Sequence, residues 1–373
     1  ALADHFNLLV LHGGMEEDRE TWRDTEKRLT NAQVKRAWGF QISTKRKENG
    51  RLLDRRYIHF TPGFIWELLR FRPEVLISNE MGFRTLVALA YGTLFRKPVW
   101  VWWGGTPHTE RNIGVARRAV RAAISRWARR WISYGQTSTE YLLSLGIGRG
   151  AIVEVQNAVD ERRFAGHSSE HAAGGDETTD LIRLRPVLLC VGSLIARKGI
   201  EPLFHAAASL QREGRKFSLL LVGGGRDGPM LERLAKDLGL ENVHFQRARP
   251  PEKMASVYRS GDILVFPTLE DVWGLVANEA VLSGIPVLCS KYAGCAGELF
   301  PPQNIFDPLD PLEFKGKLRS ALAGEIARPD ASRLKTTAAL AGELVRALEG
   351  CLRDPDGLVA SGGRAHVVQT NAR

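Results

Sequence analysis

Two carboxylates, Asp271 and Glu279, flank a glycine in the stretch Leu269-Glu270-Asp271-Val272-Trp273-Gly274-Leu275-Val276-Ala277-Asn278-Glu279-Ala280. The apolar run Ile263–Pro267 before it reads as a buried strand ending in a turn. Leu275–Leu282 after it reads as a helix, stopped by Ser283-Gly284-Ile285-Pro286. An acidic loop therefore caps a strand, Gly274 makes the turn, and Glu279 lies one turn into the helix. Ligands of open α/β sheets bind outside the carboxyl ends of the strands. The free N–H groups of Leu275 and Val276 can hold an anion such as a pyrophosphate, helped by the helix dipole. A carboxylate one turn in can accept two hydrogen bonds from a vicinal diol such as a ribose.

This stretch resembles the acid-x7-acid signature of the family-4 retaining glycosyltransferases. Asp271 stands at the first acid, Trp273 at the aromatic and Glu279 at the second acid, and Glu270 is the alternative first acid. Two further segments extend the resemblance. Gly192-Ser193-Leu194-Ile195-Ala196-Arg197-Lys198-Gly199 follows a strand-like run, Pro186–Val191, and is similar to the family's Val-Gly-Arg-Leu…Lys-Gly element. There Lys198 matches the family lysine, Ser193 replaces the usual arginine, and Arg197 is a candidate for the second cation. Asn304-Ile305-Phe306-Asp307-Pro308 is similar to a later family turn. The resemblance implies a GT-B fold, in which two Rossmann-like domains face each other across a cleft. It implies transfer of a sugar from a nucleotide-diphosphate sugar, with retention at the anomeric carbon. Lys198 and Arg197 would then neutralise the departing diphosphate without a metal or another cofactor. Glu279 would hold ribose; Asp271 or Glu270, with Trp273 and Gly274, would line the donor sugar. Alternatives are a non-hydrolysing nucleotide-sugar epimerase of the same fold and a non-catalytic nucleotide-sugar binding protein.

The elements that must position these residues follow from length and periodicity. The 373 residues suggest two domains, and 44% hydrophobic with 25% charged residues suits sizeable soluble cores. The boundaries expected are 1–165 for an N-terminal Rossmann-like acceptor domain and 166–185 for a linker or exposed loop. Residues 186–330 form the donor domain, and 331–373 form helices followed by a loosely held polar tail. Alternating strand-like and helix-like segments in the first half predict a parallel sheet covered on both faces. Glu16–Leu29 is a polar helix candidate, and 33–54 an exposed hairpin or loop. Phe6–Leu11 ends in His12-Gly13-Gly14, where Gly13 and Gly14 let backbone approach a ligand; in the resembling family such a loop faces the donor. The strand Pro98–Trp103 leads into a loop carrying His108, to which the resemblance assigns a place near the reacting sugar. Gly223–Gly228 contains a G-x-G-x-x-G pattern, but Pro229 follows at once, so it predicts a tight strand–helix turn.

Charge is uneven. Residues 1–160 hold 25 Lys and Arg against 16 Asp and Glu, whereas 161–373 hold 27 against 26. The segment Arg111–Trp131 gathers arginines, including Arg117, Arg118 and Arg121, on one helical face, and Gly63–Phe71 adds an apolar run. Together they suggest attraction to an anionic membrane surface and a lipid-linked or anionic acceptor. The expected location is cytoplasmic, with peripheral attachment to the inner face of the membrane. No nucleic-acid motif and no metal-ligand spacing is present in the sequence, and four cysteines without CxxC pairing read as reduced thiols.

Overall fold

The structure is a computed structural model that describes residues 2–13, 31–48, 51–164, 182, 184–353 and 366–371. The helix expected over Glu16–Leu29 and the linker core lie outside the described residues. The chain divides into two compact units. One comprises residues 1–46, 55–156 and 338–373, the other 47–54 and 157–337.

The first unit is built from β1 (Asn7–His12), β2 (Gln33–Arg36), β5 (Val75–Ser78), β6 (Val99–Trp103), β7 (Arg130–Ser133) and β8 (Ile152–Glu154), with most of β3 (Phe40–Glu48) and the later part of β4 (Arg51–Phe60), whose residues 47–54 belong to the second unit. Helices Gly63–Phe71, Phe83–Phe95, Val115–Trp127 and Gln136–Ser144 connect β4 through β8. Strand β5 is buried at every position, as its unbroken Val-Leu-Ile-Ser run dictates for a sheet covered on both faces. Trp103 and Trp131 join Leu9, Leu76, Val101 and Ile124 in the core. Strands β3 and β4 pair as a separate two-stranded ribbon.

The second unit holds β9 (Val187–Val191), β10 (Ser218–Val222), β11 (Val243–Gln246), β12 (Ile263–Phe266), β13 (Val287–Ser290) and β14 (Ile305–Phe306). Every pairing is parallel, in the order β11-β10-β9-β12-β13-β14. The order reverses between β9 and β12. Connections on opposite faces part there and leave a crevice beyond the carboxyl ends of these two strands. Leu188, Phe204, Leu219, Val265 and Leu288 centre its core.

The chain then returns to the first unit through helix Thr337–Leu352 and a last strand, β15 (His366–Asn371). The tail expected to hang loose contains this strand. It lies between β1 and β5, parallel to both, and completes the order β2-β1-β15-β5-β6-β7-β8. Val367, Val368 and Thr370 are β-branched and suit a strand; the Gly-rich polar residues ahead of them mask that preference in an average over the tail.

Candidate functional site

The loops after β9 and β12 meet at the switch point. After β9 the chain makes a short 3-10 turn, Ala196–Lys198, and Gly199 adopts the left-handed conformation before helix Ile200–Arg212. A side chain at Gly199 would run into the carbonyl of Pro267 at the end of β12. Leu269 N–H donates to the Arg197 carbonyl at 2.8 Å, and the Thr268 hydroxyl donates to the Glu270 carbonyl at 3.1 Å. The loops are thus laced by backbone, and their charged side chains cannot drift apart.

Lys198 Nζ lies 2.5 Å from Asp271 Oδ2, and both side chains are mostly buried. Burial pushes the Asp271 carboxyl up, but the nearby charges of Lys198 and Arg197 outweigh it and bring it down to about 2. Arg197 donates through Nη1 to the Glu270 carbonyl at 2.8 Å, and its Nε stands 2.8 Å from Asp54 Oδ2. Two cations and two carboxylates therefore share the crevice. A small cavity lined by Gly192, Ser193, Lys198, Phe266 and Pro267 opens beside them.

A third loop, after β13, fixes the acidic one. Asp271 N–H donates to the Tyr292 carbonyl at 3.2 Å, Gly294 N–H to the Asp271 carbonyl at 3.0 Å, and Cys295 N–H to the Trp273 carbonyl at 3.2 Å. Trp273, expected among the donor contacts, is instead buried at 1% exposure. Its indole N–H donates to Asn278 Oδ1 at 2.8 Å, and Asn278 Nδ2 donates to the Asn157 carbonyl at 2.9 Å. A large apolar ring with one polar atom is best placed where that atom finds a partner, and here the ring props the loop from within. Gly274 is left-handed at φ 104°, where a side chain would strike the Phe266 ring. Helix Leu275–Leu282 starts directly after it, so the Leu275 and Val276 N–H groups lie in its first turn. Glu279 accepts a 2.6 Å hydrogen bond from the Tyr258 hydroxyl. Burial raises the Glu279 carboxyl, with the Tyr258 hydrogen bond and the Arg163 charge opposing it.

The structure thus brings Arg197, Lys198, Glu270 and Asp271 together, with Gly274, Leu275, Val276 and Glu279 following in one short path. Of the two acids, Asp271 carries the ion pair, and Glu270 is buried with its carbonyl holding Arg197. Gly13 and His108 belong to the other unit, and Gly14 lies outside the described residues. A side chain at Gly13 would crowd Thr61, with His59 and Arg84 close by. The His108 carbonyl accepts from Arg111 Nη1 at 2.6 Å in the loop after β6. Arg121, read as part of a basic surface, is buried. It sits 2.5 Å from Glu110, donates to the Met81 carbonyl and lies over the Trp103 ring. Asp54, Tyr258 and Asn278 were not expected. Asp54 comes from the ribbon and carries no local signal, whereas the hydroxyl of Tyr258, on a helix with an apolar face, needs an interior partner.

The second unit's site sits in a domain with known relatives. Residues 181–339 match the family model described as Glycosyl transferases group 1. The chain is 36% identical over 115 residues to a D-inositol 3-phosphate glycosyltransferase of Corynebacterium efficiens, covering 29% of this chain and 27% of that protein. It is 34% identical over 131 residues to a GDP-mannose-dependent alpha-(1-6)-phosphatidylinositol monomannoside mannosyltransferase of Mycolicibacterium smegmatis, covering 33% of each. The matched stretches thus span about a quarter to a third of these curated relatives. Across nearly the whole chain the fold resembles that of Anabaena Alr3699/HepE, solved with UDP-glucose. The TM-score is 0.68 at 17% identity, with 93% of this chain and all of that chain covered. Sucrose-phosphate synthase from Thermosynechococcus elongatus aligns with a TM-score of 0.62 at 19% identity, over 92% of this chain and 94% of that one. The chain has the α/β fold of the GT-B glycosyltransferases, and the glycosyl transferases group 1 model matches it over residues 181–339.

Proposed function

We propose that the protein is a glycosyltransferase that moves a sugar, with retention, from a nucleotide-diphosphate sugar to an acceptor bound by the first unit. The observation that carries this reading is the Lys198–Asp271 pair with Arg197 at the strand-order reversal of a group 1 domain. Breaking the bond between sugar and diphosphate builds charge on the leaving phosphate. Lys198, Arg197 and the Leu275 and Val276 N–H groups offer preorganised positive charge there. As the diphosphate takes Lys198, the Asp271 carboxylate is released to accept donor-sugar hydroxyls. Glu279, held through one oxygen by Tyr258, keeps its other oxygen for the ribose. The leaving phosphate oxygen would receive the acceptor proton in a front-face attack, and His108 would act near the reacting sugar. No metal is required in this scheme. The basic balance of the first half, and relatives named for inositol phosphate and phosphatidylinositol monomannoside, favour a lipid-linked or anionic acceptor.

Calorimetric titration with UDP, GDP and their sugar conjugates tests the donor assignment directly. Tight binding of one nucleotide, unchanged by chelator, supports it. Release of an epimer from donor alone would replace transfer with epimerisation, and no binding of any nucleotide diphosphate would sink the assignment.

A further inference from the structure

Strands β3 and β4 form a two-stranded ribbon apart from the two larger sheets. Side chains alternate across such a ribbon. Phe40 and Ile42 share one face of β3, Ile58 and Phe60 share one face of β4, all four are exposed, and the Phe40 and Phe60 rings 5.1 Å apart bring the two pairs together. Trp38, just ahead of β3, is 73% exposed, and its carbonyl accepts the Gly63 N–H at 3.0 Å. This bond seats helix Gly63–Phe71 beside the ribbon. The helix turns Phe64 and Leu68 into the core and leaves Ile65, Trp66 and Leu69 exposed, Trp66 at 69%. Eight large apolar side chains of the first unit thus face solvent from one short run of chain. Exposed Arg36, Lys45, Arg70 and Arg72 lie within the same run. Residues 31–75 hold ten Lys and Arg against four Asp and Glu; of those acids, Glu67 is already paired with Lys35 at 2.9 Å.

We propose that this ribbon-and-helix face docks on an anionic lipid bilayer. A concentration of large exposed apolar side chains of this kind marks an interaction site rather than ordinary surface. Tryptophan, phenylalanine and isoleucine suit the depth of the headgroup boundary, and long basic side chains reach lipid phosphates while their stems stay apolar. Charge complementarity selects this occupant over a second copy of the chain, because a symmetric contact would press two strongly basic segments together. In helix Val115–Trp127, by contrast, Arg121 is consumed inside the fold and offers nothing to a bilayer. The inference narrows the anionic membrane surface expected from the sequence to named residues, and it stands on the exposed face alone.

Sedimentation of the full chain with vesicles decides it. Partition onto phosphatidylcholine vesicles containing one third phosphatidylglycerol should exceed that onto phosphatidylcholine alone by about tenfold or more, and should fall with salt. The double variant Phe40→Ser with Trp66→Ser should lose about tenfold of that partition while nucleotide binding stays unchanged. Arg117→Ser with Arg118→Ser should keep it. Equal recovery on both vesicle types overturns the proposal, as does a serine variant that binds lipid like the wild type or a loss confined to the arginine variant. A concentration-dependent dimer dissolved by the serine variant would assign the face to a second copy and overturn it too. Failure to bind any nucleotide would sink the donor reading without touching the vesicle result.

Discussion

Lys198 and Asp271 neutralise each other across 2.5 Å, so each governs the other's chemistry. Lys198→Ala should cut turnover by about a hundredfold or more, the scale seen when a group that stabilises transition-state charge is removed. Glu279→Ala should weaken nucleotide binding by about 1–3 kcal/mol. Titration calorimetry and product assay on the same preparations separate the two effects; wild-type values for both variants would place the site elsewhere. Asp271 has a further signature in acid. Its folded value, about 2, lies below its ordinary 3.8, so its ionised form contributes stability above the ordinary value and loses it as pH falls through about 2. A gap of that size corresponds to about 2 kcal/mol. In urea unfolding, Asp271→Asn should be less stable than wild type near neutrality, with the difference shrinking between about pH 4 and 2. Glu279 carries the opposite sign, because burial raises it, so its ionised form costs stability once pH passes its ordinary value. Glu279→Gln should therefore unfold at higher urea than wild type near neutrality while binding nucleotide more weakly.

The loop between β12 and helix Leu275–Leu282 shows which elements local sequence can specify. Val75–Ser78 and Leu275–Leu282 form over the residues their apolar runs and stop signals mark. The crevice was legible too, because Asp271, Glu279 and Lys198 sit beside turns that glycine punctuates. Partners from distant segments were not legible. Asp54 reaches Arg197, Tyr258 reaches Glu279, and Asn157 receives Asn278, each through a fold-level contact that no local pattern encodes. Arg121 was misplaced for the same reason. Periodicity gave Arg121 a surface, but Glu110 and Trp103 supply it with an interior. The loop's own weak point is Gly274, where a methyl would meet the Phe266 ring in a left-handed conformation. Gly274→Ala should cost about 2 kcal/mol or more and displace the start of the helix. Chemical denaturation together with nucleotide titration would show it; an unchanged variant would mean that the turn is not held as described.

At the scale of the molecule, β15 joins the far end of the described chain to its beginning. Its register pairs His366 with Asn7 on one side and Val367 with Val75 on the other. Removing residues 354–373 should strip both neighbours of their hydrogen-bonding partner and destabilise the first unit. The second unit, whose sheet among the described residues runs over 187–306, should keep its nucleotide affinity. Limited proteolysis of the truncated chain, followed by titration of the resistant fragment, tests this; a first unit as resistant as wild type would show that β15 is dispensable.

That central strand also sets an order of events during synthesis. The ribosome delivers β1 long before β15, so the sheet of the first unit lacks the strand between β1 and β5 until residue 371 has emerged. By then residues 187–306 have long been available to fold around their own sheet. From the emergence of β5 until that of β15 the nascent chain would carry the facing edges of β1 and β5 unpaired, a condition that invites wrong strand partners and engagement by chaperones.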